Sequence, residues 1–86
     1  MRRLLFSPKA KSDLSDIWAY SARTWGQDQA DHYARQIYDT CLGLAQERLF
    51  GIDVAHIRPG YFKQRSGSQL VFFVRPSASQ IVIIRI

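Results

Sequence analysis

The sequence predicts an α+β domain in which a helical hairpin packs on a small antiparallel sheet, in the order β-α-α-β-β-β. Apolar residues recur at helical spacing in two stretches, Ala10–Ser21 and Ala30–Leu49, with only a short connector between them. After Pro59-Gly60 the pattern changes to the alternating and β-branched runs that are typical of strands. The chain of 86 residues has no linker-like segment, so residues 1–86 are expected to form a single domain.

The helical part is preceded by a short strand, predicted at residues 2–6. Ser7 can accept a hydrogen bond from the free amides of a first helical turn, and Pro8 suits the first helical position. Gly26 tolerates positive φ and is the expected end of this helix. The second helix is expected to begin near Asp28 and to end at Gly51. The short connector makes the two helices antiparallel neighbours.

Three further strands are predicted at residues 61–65, 69–75 and 80–86. Ser66-Gly67-Ser68 is a tight turn, because glycine supplies the backbone freedom that a hairpin reversal needs. The last two runs are apolar on both faces. The helices can cover only one face of the sheet, so we expect the other face to remain as an apolar patch or to receive another polypeptide.

Charge is unevenly distributed along the chain. The formal net charge is +5, all seven acidic residues lie in the first 53 positions, and the last 33 positions hold five basic residues and no acid. This polarity favours an acidic partner, either nucleic acid or an acidic protein segment. A solvated basic face that only aids solubility is the alternative.

The single cysteine and the lack of a recognised targeting segment bear on where in the cell the protein is expected. The single cysteine, Cys41, lies among apolar residues at helical spacing and is expected to be a core residue of a reduced protein. No signal peptide is recognised and no apolar run approaches the roughly 18 residues of a membrane span, so a cytoplasmic protein is expected. The chain stops at Ile86 inside the last predicted strand, and we expect a shortened C-terminus.

The sequence offers little support for catalysis. His32 and His56 are far apart and, with one cysteine, make no metal-binding spacing. The paired acids occur early in each helix, where they complement the helix dipole. Phosphate-binding loops and nucleophile motifs are absent from the sequence. We therefore expect a protein that is not an enzyme and that uses neither a metal nor a cofactor.

Binding is better supported. Tyr61, Lys63 and Arg65 alternate onto one face of a strand, where they could hold phosphates or acidic side chains. A solvated outer strand face is the alternative. Trp18 lies in the apolar stripe of the first helix and is predicted to be core. Trp25, at the hairpin tip, is predicted to pack under the bend.

Two stretches resemble a known family. They are A-K-x-D-L-x-D-I-W…W-G at Ala10–Gly26 and R-x-G-Y-x-x-x-x-S-G-S at Arg58–Ser68. They are similar to the ParE toxins of type II toxin–antitoxin modules, within the RelE/ParE superfamily, and the resemblance covers essentially the whole chain. It implies the β-α-α-β-β-β fold that the residues also predict.

The resemblance further implies that the protein inhibits DNA gyrase and is neutralised by a ParD-like antitoxin. In such pairs a flexible segment of the antitoxin folds onto the toxin as a helix and an extended strand. The expected antitoxin-binding residues are Leu14, Ile17, Trp18, Tyr33, Ile37 and Phe73. The expected target-binding residues are Arg58, Tyr61, Lys63, Arg65 and Arg85.

Two alternatives stay open. The RelE branch cleaves messenger RNA on the ribosome, and Arg65 and Arg85 could stand where that branch places arginines. The aromatic or histidine residue that would join them has no counterpart before Ile86. ParE-like chains usually continue past the last strand, so a second alternative is an inactive remnant that only binds antitoxin.

Overall fold

The computed structural model describes all 86 residues and confirms the predicted architecture of a helical hairpin on a sheet. A two-residue strand that the sequence analysis did not predict precedes the three C-terminal strands. The elements are β1 (Arg3–Phe6), α1 (Pro8–Trp25), α2 (Gln27–Ala45), β2 (Ile52–Asp53), β3 (Tyr61–Ser66), β4 (Gln69–Ser77) and β5 (Gln80–Arg85).

The five strands form one sheet in the order β1-β5-β4-β3-β2. The pairs β3–β4 and β4–β5 are antiparallel, as predicted, and the additional strand β2 also pairs antiparallel with β3. β1 instead pairs in parallel with β5, with Leu5 opposite Val82, so the sheet is mixed. The direction of this pair depends on where the helical hairpin returns the chain, and no local pattern in β1 specifies it.

The predicted start and end of α1 are confirmed. The Ser7 Oγ accepts a hydrogen bond from the Ala10 amide at 3.0 Å, and Pro8 follows at the first helical position. Gly26 ends the helix with φ of 94° and donates its amide to the Ala22 carbonyl. Local sequence signals therefore set both ends of this helix.

The predicted end of α2 at Gly51 is wrong, because the helix stops at Ala45. After Ala45 the chain turns back, and the amides of Arg48 and Leu49 both donate to the Gly43 carbonyl. A Cβ on Gly43 would lie 3.0 Å from Leu49 Cδ1, so a larger residue would crowd this reversal. Leu49 packs against the core because the chain folds back after Ala45. In the sequence, the spacing of Leu49 is the same as that of an apolar residue in a further helical turn, which is why the helix was predicted to be longer.

The core lies between the helices and one face of the sheet. Cys41 is fully buried there, as predicted, and burial raises the pKa of its thiol to about 12. The thiol is therefore neutral and acts as a small apolar side chain. The eight residues of the main core cluster are Ala10, Ile37, Cys41, Leu44, Val71, Phe73, Ile81 and Ile83.

Candidate functional site: a helical groove and a basic sheet face

An open apolar groove runs between the two helices. It encloses about 510 Å³, and Leu14 and Trp18 of α1 face Ala34 and Tyr38 of α2 across it. Lys11 supplies a positive charge at its side. The lining residues are Phe6, Lys11, Leu14, Ser15, Trp18, Ala34 and Tyr38. We call this site the helical groove.

The aromatic walls of the helical groove are held in place. The Trp18 indole Nε1 donates to Asp31 Oδ1 at 2.8 Å, which ties α1 to α2. Phe6 and Tyr38 stack at a centroid distance of 6.2 Å. A partner that fills this groove therefore meets aromatic surfaces that are already oriented, which lowers the entropy lost on binding.

The six predicted antitoxin-binding residues separate into three groups. Leu14 and Trp18 line the helical groove. Ile17 and Tyr33 lie beside it, in a second depression near the tip of the helical hairpin. Ile37 and Phe73 are fully buried, so the structure removes both from any contact surface. Their apolar character stabilises the core.

Trp18 and Trp25 both differ from their predicted environments. Trp18 is half-buried and forms a groove wall. Trp25 is 63% exposed, so its predicted packing under the bend is wrong. It is the last residue of α1, at the tip of the helical hairpin, and its ring meets the Tyr20 ring edge-on at a centroid distance of 6.1 Å.

Sequence reasoning missed three apolar contributors to the groove, namely Phe6, Ala34 and Tyr38. Tyr38 is 46% exposed although its position on α2 is adjacent to the fully buried Ile37. An aromatic residue four positions after Ala34 on a helix flank was the available signal, since residues i and i+4 share a face. Phe6 carried no such signal, because a four-residue edge strand does not reveal which helix it meets.

The second candidate surface is the side of the sheet that faces away from the helices. Val71 and Phe73 of β4 are buried under the helices, so the residues that alternate with them point the other way. Cross-strand register extends this side from β1 to β3. We call it the outer face; its members are Leu5, Val82, Leu70, Phe72, Val74, Tyr61, Lys63 and Arg65.

Most of the predicted target-binding residues lie on or beside the outer face. Lys63 stands opposite Phe72, and Arg65 stands opposite Leu70 near the β3–β4 turn. The Arg58 guanidinium lies over the Tyr61 ring at 5.0 Å. The Tyr61 ring is thus already occupied by a cation on one side.

Arg85 stands opposite Phe72 beside a register shift between β4 and β5, but its side chain is tied to α1. Its Nε donates to Asp13 Oδ2 at 2.6 Å and its second guanidinium nitrogen to Oδ1 at 3.0 Å. The Ile86 amide also donates to Asp13 Oδ2 at 3.0 Å. The hydrogen bonds from Arg85 hold the pKa of the Asp13 carboxyl below its usual value of 3.8. Asp13 lies in the second turn of α1, past the first turn in which the helix dipole acts, so its predicted dipole role is wrong. It instead ties α1 to the end of β5.

We expect Asp13→Asn to weaken the fold in a pH-dependent way. A carboxyl whose pKa is lowered by folding stabilises the protein above its unfolded pKa, and this contribution is lost as pH falls through the folded pKa. The wild type should therefore be more stable than Asp13→Asn at pH 7, with the difference shrinking below about pH 4. Urea unfolding of both proteins between pH 2 and pH 7 measures it. Solvent exposure of Arg85 limits the size of the effect.

If the difference in free energy of unfolding between wild type and Asp13→Asn stayed constant across this pH range, the ionised Asp13 carboxylate would not be the group that stabilises the fold. Asp16→Asn is the matched control, since Asp16 is an exposed acid on the same helix. It should shift stability by less than about 0.5 kcal/mol.

The two histidines lie in different parts of the structure. His32 lies in a shallow polar cleft on α2 beside Arg35 and Asp39, and His56 lies in the exposed β2–β3 loop. No group of three or more His, Cys, Asp or Glu side chains is placed to hold a metal ion. Neither helix has the length and apolar character needed to cross a membrane.

Comparisons with known proteins agree with the geometry. The family model described as "ParE toxin of type II toxin-antitoxin system, parDE" matches residues 4–86. The chain is 40% identical over 73 residues to Toxin ParE1 of Caulobacter vibrioides, covering 85% of this chain and 76% of that protein. It is 33% identical over 84 residues to Toxin ParE1 of Mycobacterium tuberculosis, covering 98% and 86% of the two chains.

A solved structure supports the fold independently. The chromosomal ParDE TA system from P. aeruginosa contains a chain that matches with a TM-score of 0.80 at 23% identity. The match covers 99% of this chain and 92% of that one. At this level of identity, the likeness establishes that the two chains share the arrangement of helices and strands.

Proposed function

Since this chain belongs to the family of ParE toxins of type II toxin–antitoxin systems, we propose that it inhibits DNA gyrase and is neutralised by a ParD-like antitoxin. In this proposal it acts in the cytoplasm by binding its target and catalyses no reaction. The helical groove is the observation that supports the antitoxin half of the proposal. Family membership supports the gyrase half.

The helical groove suits an amphipathic helix of the antitoxin. Recognition of this kind places apolar side chains, spaced three and four residues apart, into a groove between elements of the partner. Trp18 and Tyr38 provide aromatic walls, and Leu14 and Ala34 leave room between them. Lys11 can pair with an acidic residue on the flank of the incoming helix.

We expect Trp18→Ala to weaken antitoxin binding by at least about 30-fold, or about 2 kcal/mol, because tryptophan in an apolar groove is a typical binding hot spot. Titration calorimetry with a ParD-like antitoxin measures the change. Trp25→Ala is the matched control, since Trp25 is equally large but lies at the hairpin tip outside the groove. It should change affinity by less than about threefold.

The reverse order, with Trp25→Ala as the more damaging change, would place the antitoxin at the tip of the hairpin. Loss of structure is a separate explanation for weak binding by Trp18→Ala. Thermal unfolding of both variants, followed by circular dichroism, separates loss of fold from loss of contact.

The outer face is the proposed contact surface for gyrase, through Arg58, Tyr61, Lys63 and Arg65. Arg85 has a structural role instead, since its guanidinium is paired with Asp13. Because the Arg85 guanidinium is engaged by Asp13, it is not free to act together with Arg65, which does not favour the messenger RNA endonuclease alternative. No metal or cofactor is required by this mode of action.

Inducible expression in bacterial cells tests the gyrase half. We expect plasmid supercoiling to fall and DNA breaks to accumulate while protein synthesis continues at first. Co-expression of the antitoxin should prevent both effects. Translation arrest that precedes any change in supercoiling would contradict the proposal and favour the endonuclease, and antitoxin binding without any growth defect would indicate an inactive remnant.

A further inference from the structure

The outer face combines an apolar centre with a positively charged side. Leu5, Val82 and Val74 form a row across β1, β5 and β4, and Tyr61 continues it onto β3. Phe72 and Leu70 extend the apolar area along β4. All of these side chains are half-buried, although no second layer covers them. An apolar centre with a polar margin is the usual anatomy of a protein–protein interface.

The charge on this side has one sign. Lys63, Arg65 and Arg58 lie along its β3 margin. Five of the seven acidic residues belong to the helices, and Glu47 is paired with Arg2. Asp53 stands opposite Phe62, whose side chain points toward the helices, so Asp53 does not belong to the outer face. The Asp53 carboxylate accepts a hydrogen bond from the Ala55 amide. A partner of this face therefore gains from negative charge.

Three occupants differ in how well they match these features. A second copy of the chain would bring two faces of the same sign together. A nucleic acid would satisfy the basic residues but gain little from Leu5, Leu70, Val74 and Val82, which offer no planar ring for a base to stack on. Phe72 has such a ring but is half-buried between its neighbours on the sheet. The Tyr61 ring already carries the Arg58 guanidinium. An acidic polypeptide segment with apolar side chains matches both the centre and the margin.

We infer that the outer face binds an acidic, amphipathic polypeptide segment of the target, so that the toxin contacts gyrase protein at this face rather than gyrase-bound DNA. This inference rests on the proposed function, since gyrase is the target that it addresses. Apolar side chains of the segment cover Val74, Phe72 and Leu70. Its carboxylates pair with Arg65 and Lys63.

Inhibition of supercoiling by purified bacterial gyrase on relaxed plasmid tests the inference. The full chain is compared with the double variant Lys63→Glu/Arg65→Glu and with Leu70→Ser. We expect the concentration for half-inhibition to rise at least tenfold for the first and about fivefold for the second. Lys9→Glu, an exposed charge reversal on the helical layer, should stay within twofold of the wild type. Unfolding temperatures identify any variant that fails to fold.

Photo-crosslinking identifies the class of partner. A benzoylphenylalanine in place of Leu70 is irradiated in the assembled gyrase–plasmid mixture. We expect adducts on a gyrase polypeptide, within a segment rich in Asp and Glu when mapped by mass spectrometry. Adducts on DNA would overturn the inference while leaving gyrase inhibition intact, and so would equal inhibition by the wild type and both outer-face variants.

Failure of the proposed function has a different signature. The wild-type chain would then leave supercoiling unchanged at concentrations far above that of gyrase, and no adduct on gyrase would form. That result removes both the proposed function and the inference that depends on it. Inhibition by the wild type together with DNA adducts removes the inference alone.

Discussion

Phe73→Ala should be among the most destabilising substitutions in this protein, lowering the free energy of unfolding by about 3–5 kcal/mol. Phe73 is fully buried and is the largest residue in the core, and its ring stacks on Phe62 at a centroid distance of 5.4 Å. Truncation removes these contacts and leaves a cavity that the sheet and helices cannot close. Domains of this size have small stabilities, commonly near the lower end of 5–15 kcal/mol, so the variant should be close to unfolding at 37 °C.

Phe72→Ala is the matched control for this prediction. Phe72 is the neighbouring residue on the same strand, but it points to the outer face and is only half-buried. Its truncation should cost about 1–2 kcal/mol, since less apolar surface returns to water and no closed cavity forms. Urea unfolding followed by tryptophan fluorescence and circular dichroism measures both. Equal losses for the two variants would contradict the assignment of faces.

Gly51→Ala should destabilise the fold by about 2–5 kcal/mol, which is unusually large for an added methyl group. Gly51 has φ of 71°, and a Cβ there would lie 2.6 Å from Phe73 Cζ and 3.0 Å from the Lys63 carbonyl oxygen. Phe73 cannot move away because it is enclosed by the core, and the carbonyl belongs to β3. The loop after α2 approaches the sheet so closely that only glycine fits.

Gly60→Ala separates the two causes of this effect. Gly60 also has positive φ, at 81°, but a Cβ there would meet no atom within 4 Å. Gly60→Ala should therefore lower the free energy of unfolding only by the cost of placing alanine at positive φ, about 1–2 kcal/mol. The same unfolding experiment compares the two variants. A Gly60→Ala loss as large as that of Gly51→Ala would mean that backbone strain, and not the contact with Phe73, makes Gly51 necessary.

Signals within a few residues of each other predicted the local structure well. Ser7 and Gly26 set the ends of α1 because capping depends on adjacent backbone amides and on φ. Gly67, with φ of 60°, forms the β3–β4 turn for the same local reason. The end of α2 was predicted too late, because Leu49 has the spacing of a further helical turn but reaches the core through a reversal at Gly43.

The candidate site was predicted less completely. Leu14 and Trp18 were identified because they occupy the apolar stripe of α1, and both line the helical groove. Ile37 and Phe73 have the same apolar character but are enclosed. Apolar periodicity shows that a side chain avoids water, and it does not distinguish a covered core position from the wall of an open groove.

Four features follow directly from the order of the residues: the helical hairpin, the strand-rich second half, the concentration of positive charge there and the family to which the chain belongs. Each of these depends on residue type, short-range spacing or the order of motifs. Three other features become visible only in the folded chain: β1 joins β5 in parallel, Phe6 and Tyr38 meet in the groove that Trp18 also lines, and Arg85 pairs with Asp13. These contacts join residues that lie 32 to 77 positions apart, and their geometry arises only when the helical layer packs on the sheet.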